Sequence, residues 1–145
     1  MNKVLSTLVV LCLTLSVGFS QKQYGELIDS LQTELAAAKE DSTKLNVLVT
    51  MLTEYITYKP QEGLTYRDVA LELANKSNRK INIARVKDKI GRLYWQTGKF
   101  DEAYKYHFDA LDIYKEVGDK HAEANVLIWI GQDYLNDNKY AEAGN

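Results

Sequence analysis

Histidine exchanges a proton near neutral pH, which makes it the first residue to weigh as an acid–base catalyst. The chain has two. His107 has no nucleophile or partner base at a working spacing, so a packed or partly exposed imidazole accounts for it. His121 stands near Asp119 and Glu123. One histidine with two carboxylates so placed is a weak metal ligand set. Asp101-Glu102 resembles a general acid–base pair, but it falls where a helix should begin, and carboxylates there complement the helix dipole. There is no glycine loop for phosphate, no paired-histidine helix and no Gly-x-Ser-x-Gly elbow. Cys12 is the one cysteine, and it lies in a leader-like stretch. Once that stretch is removed, disulfides, thiolate catalysis and cysteine-ligated zinc are excluded. The reading is of no catalytic residue, no metal site and no cofactor; an enzyme would need a catalytic domain beyond residue 145.

What must be positioned, then, is a surface for binding. Of the 145 residues, 46% are hydrophobic and 26% charged, a balance that can bury a core. One proline and eight glycines are too few for a loop-rich β-sandwich. A net charge of −2 without a basic cluster argues against a nucleic-acid partner.

Residues 1–20 read as a signal peptide. Lys3 precedes the leucine- and valine-rich run from Val4 to Val17, and Gly18 and Ser20 supply small residues before a cut after Ser20. The alternative is an uncleaved anchor helix, but the serines and threonines dilute the apolar span such a helix needs. Leu11 before Cys12 argues against lipid attachment. The expected location is extracytoplasmic, periplasmic or secreted, with no membrane insertion apart from the signal peptide.

The series Ala84, Ile90, Gly91, Tyr94, Phe100 and Ala103 returns forty residues later as Ala124, Ile130, Gly131, Tyr134, Tyr140 and Ala143. Ala110, Leu111 and Ile113 look back by the same offset to Ala70, Leu71 and Leu73. Val86, Ile90, Gly91, Leu93 and Tyr94 follow a helical period. Gly98 suits a left-handed helix end, as does its counterpart Asn138. Asp101 suits the start of a second helix, whose inner stripe is Ala103, Tyr106 or His107, Ala110, Leu111 and Tyr114. Gly118 and Asp119 stop that helix and offer a cap to the next.

Lys87-x-x-Ile90-Gly91-x-x-Tyr94 with Ala103-x-x-x-His107, and Leu127-x-x-Ile130-Gly131-x-x-Tyr134 with Ala143, resemble the tetratricopeptide repeat. A degenerate unit has Leu48-x-x-Met51-Leu52-x-x-Tyr55, then Pro60 at a helix start and Gly63 in the alanine place. There the resemblance implies that the small residue has moved to the facing helix. The resemblance implies an all-α solenoid of antiparallel helix pairs with an N-terminal capping helix. The expected divisions are 21–41 for the cap, with Leu27, Leu31, Leu35 and Ala38 on its inner face, and 42–145 for the repeats. The units are 42–79, 80–119 and an incomplete 120–145, with Asp41 and Ser42 capping the first helix. The third unit has a first helix from Glu123 to Asn136 and a second that barely starts at Tyr140, so a longer polypeptide is expected.

Units of this length are similar to those in sensory regions of bacterial histidine kinases, nucleotide cyclases and transcription regulators. The resemblance implies a protein or peptide ligand and a downstream, membrane-anchored effector domain; a stand-alone scaffold or adaptor is the alternative. Its first helices would line a groove, which places Val49, Thr53 and Ile56, then Asp88, Arg92 and Trp95, then Ile128, Gln132 and Leu135 there. Trp95 is either an anchor beside Arg92 or a packing residue. The lysine and asparagine of the family's carboxylate clamp have no counterparts.

Overall fold

The computed structural model describes residues 21–143, with side chains through Asn136. The signal-peptide reading and Cys12 lie outside the described residues, as do the side chains of Asn138, Tyr140 and Ala143. Among the described residues there is no strand, and no helix is long and apolar enough to cross a membrane.

Helix α1 covers 21–37. It buries Tyr24, Ile28 and Leu31, with Leu35 packed alongside, at spacings of three and four residues. Leu27, expected on that face, is exposed. The helix is turned so that Tyr24 stacks on Tyr58 and meets Tyr55 edge-on. Two aromatic contacts outweigh one leucine.

Helix α2 is Asp41–Tyr58. Asp41 lies in its first turn and Glu40 is the cap residue, with no side-chain cap hydrogen bond, so the capping role expected of Asp41 and Ser42 is not made. The returning helix is broken into three pieces: α3, Pro60–Gly63, a 3-10 turn, Leu64–Tyr66, and α4, Arg67–Lys76. Pro60 opens α3, where a missing N–H is harmless. Within the 3-10 turn the Thr65 hydroxyl donates to the Glu62 carbonyl at 2.6 Å.

Helices α5, Lys80–Gln96, and α6, Phe100–Val117, form the best-formed pair. Gly98 and Gly118 take positive φ at their ends, and Asn78 does so after α4. Each turn is short enough to send the next helix back antiparallel. Asp119 accepts from the Ala122 N–H at 3.0 Å and caps α7.

Helix α7 runs unbroken from Lys120 to Ala143. This corrects the turn expected at Asn138 and the second helix expected from Tyr140. Asparagine tolerates a left-handed conformation but does not require one, and the backbone at Asn138 stays helical.

Helix α5 packs along α6, and α6 along α7. First helices also touch, α2 on α5 and α5 on α7, whereas α4 and α6 share no extended contact. The side carrying α2, α5 and α7 is therefore the closer-packed one. Between units the rings fill space: Tyr66 stacks on Tyr55 and Tyr106 on Tyr94, while Arg67 donates to the Tyr94 hydroxyl at 2.7 Å.

Candidate functional site

Two glycines set how closely helices approach. A Cβ on Gly91 would stand 2.5 Å from Cδ2 and 2.6 Å from Nε2 of His107. A Cβ on Gly63 would stand 2.7 Å from the Tyr55 Cβ and 2.8 Å from Leu93 Cδ2, while Leu52 opposite is fully buried. In the first pair the small residue is on the returning helix, in the second on the leading one.

The imidazole that fills the Gly91 notch is fully buried, so His107 and not Tyr106 completes the inner stripe of α6. Its Nδ1 is 2.6 Å from Oδ2 of Asp133 on α7, a side chain 1% exposed. The Trp129 ring stacks near His107, with centroids 6.2 Å apart. Trp95 meets Trp129 and Phe100 edge-on. Above Trp129, at 4.8 Å from its ring centre, lies the Arg92 guanidinium. Arg92 donates through Nε to Asp88 Oδ1 at 3.0 Å and is ion-paired with Oδ2 at 3.0 Å. Burial, then the cations Arg92 and Arg85, hold the Lys89 ammonium below its ordinary pKa despite Asp88.

Of the expected groove positions, Val49 and Asp88 are buried and so are not exposed lining residues. Val49 joins the core on the α2 side, and Asp88 is drawn in by Arg92. Thr53 is exposed, but its hydroxyl already donates to the Val49 carbonyl at 2.8 Å. Ile56 and Trp95 are half-buried against the core. Arg92 is half-buried and held on both sides. Gln132 is half-buried, whereas Ile128 is 60% and Leu135 63% exposed.

Sequence reasoning missed Trp129, Asp133, Tyr104 and Tyr134 as members of a polar–aromatic seam. Asp133 carried a usable signal: forty residues earlier stands Leu93, a core residue, and an acid there must find a buried partner. Tyr104 and Tyr134 hydroxyls lie 2.6 Å apart, and this bond, followed by burial, raises the Tyr104 pKa. No group of His, Cys, Asp and Glu that could hold a metal ion occurs among the described residues.

Residues 82–143 match the family model of the tetratricopeptide repeat. No curated protein and no solved structure matches the chain. The matched stretch is the part built from α5, α6 and α7, where Gly91 receives the facing side chain of α6. On that match and its helix pairs, residues 82–143 are a tetratricopeptide repeat segment, a kind of module that supports protein–protein interaction.

Proposed function

We propose that the chain binds a protein or peptide segment along the side that carries α2, α5 and α7, as the extracytoplasmic sensory part of a larger signal-transduction protein. The observation that carries the binding reading is the pair Ile128 and Leu135, two large apolar side chains mostly exposed two turns apart on one stripe of α7. Gln132 between them and the Trp95–Trp129 pair beyond offer hydrogen bonding and aromatic area. Arg92, tied to Asp88 and Trp129, gives that floor a fixed shape. The extracytoplasmic reading rests on the composition of residues 1–20, and the sensory reading on the resemblance of the long units. We read no catalytic role in these residues.

The test places photo-crosslinking residues at 128, 132 and 135, and as controls at 105 and 109 on α6, in the full chain expressed in its own cells. Cross-links to one partner from the α7 positions are expected. Cross-links confined to α6 would overturn the assignment. A reporter enzyme active only outside the cytoplasm, fused after Asn145, tests the location independently; an inactive fusion would remove that part.

A further inference from the structure

The bond to His107 uses one carboxylate oxygen of Asp133 and leaves the other over. Oδ1 is buried and meets no hydrogen-bond donor among the described residues. A buried acceptor without a partner is uncommon, and an anionic one loses most by it, because nothing replaces its water. Asp133 lines a cavity of about 280 Å³ at the seam between the start of α6 and α7, together with Phe100, Asp101, Tyr104 and Tyr134. Among these described lining residues none is basic. Asp101 is exposed and sets a second carboxylate there. The Tyr104 and Tyr134 hydroxyls satisfy each other with one proton, so oxygen lone pairs remain.

We infer that this cavity binds a primary alkylammonium group of the size of a lysine side chain. Carboxylates, hydroxyl oxygens and aromatic faces all attract a cation, and the aromatic rings also accept its alkyl stem. An ammonium fits better than a guanidinium. Asp133 has one oxygen left, so the planar fork of arginine has no bidentate partner, whereas a compact head with three N–H groups bonds singly to Oδ1 and to a tyrosine oxygen. The chain already makes a looser contact of this kind, with Lys99 Nζ 5.9 Å from the Tyr94 ring centre. The inference stands apart from the binding stripe of Ile128 and Leu135, neither of which lines the cavity.

The test is a nuclear magnetic resonance titration of the full chain with N-acetyl-lysine amide. Saturable shifts are expected at Asp101, Tyr104, Asp133 and Tyr134. Asp101→Asn, at an exposed position, should weaken binding by about threefold. Asp133→Asn should abolish it, with folding checked by the helical circular dichroism signal; if that variant unfolds, Asp101→Asn still decides. Equal binding by the ε-acetylated, neutral form would overturn the inference. So would equally tight binding of N-acetyl-arginine amide, or the absence of any saturable shift.

Discussion

His107 Nδ1 lies 2.6 Å from Asp133 Oδ2, and both side chains are shut between α6 and α7. The ring also fills the space that Gly91 opens on α5. One imidazole therefore ties three successive helices together: it abuts α5, belongs to α6 and is hydrogen-bonded to α7.

A methyl group at Gly91 would have to displace that ring, and the bond to Asp133 resists the displacement. Gly91→Ala should destabilise the chain by about 1–3 kcal/mol, the usual range for overpacking. Gly131 stands forty residues on, in the same repeat position, with nothing among the described residues within 4 Å of its added Cβ. Gly131→Ala should be neutral or stabilising by up to about 1 kcal/mol, since alanine is the better helix former. Urea unfolding of both variants checks this, and equal losses would show that the notch is not what distinguishes them.

Asp133→Leu restores the residue type found forty positions earlier but leaves His107 Nδ1 without its partner. The expected loss is about 1–3 kcal/mol, the cost of an unsatisfied buried group. His107→Phe in the same chain removes the stranded polar atoms and should recover part of it. A double-mutant cycle by chemical denaturation measures the coupling. If the two losses simply add, the pair contributes nothing as a pair.

Much of this fold is legible because helix period and turn chemistry are local properties. Val86, Ile90 and Leu93 announce one buried face of α5, and Gly118 and Asp119 mark a stop and a cap without reference to anything distant. The broken helix around Thr65 was not legible, because Leu64, Thr65 and Tyr66 carry no local turn residue that marks a 3-10 segment. The groove positions are less legible. Asp88 and Arg92 are expected groove positions, yet their charges pair with each other and Arg92 also lies over Trp129, an arrangement that depends on how closely α5 meets α7. Helix spacing carries no such distance.

Arg92 is accordingly expected to act through structure first. Arg92→Met keeps the stem but strands the buried Asp88 carboxylate and removes the cation over Trp129. A loss of about 1–3 kcal/mol is expected, as for other buried groups deprived of a partner. Trp129 emission should shift as its ring changes surroundings. Arg92→Lys keeps the charge without the two-pronged fit to Asp88 and should recover less than half. Thermal unfolding followed by tryptophan fluorescence checks both; wild-type stability in Arg92→Met would mean the pair is ornamental.

Alkaline pH should weaken the fold through its buried tyrosines. Burial, then Glu62 and Glu54, pushes Tyr24 up to about 12, and burial is also the largest cause holding Tyr55 and Tyr114 well above the ordinary range. In the unfolded chain these phenols ionise near pH 10. A folded-state pKa above the unfolded one means the folded chain keeps protons that the unfolded chain has released. Their contribution is therefore complete below about pH 10, falls as pH rises from there, and for Tyr24 is gone above about pH 12. Tyrosinate absorbance should lag behind that of the urea-unfolded chain, and the urea midpoint should fall across the same window. Tyr24→Phe should flatten part of that decline while leaving the share of Tyr55 and Tyr114. A midpoint constant through the window in the wild type would show that burial does not hold these hydroxyls neutral.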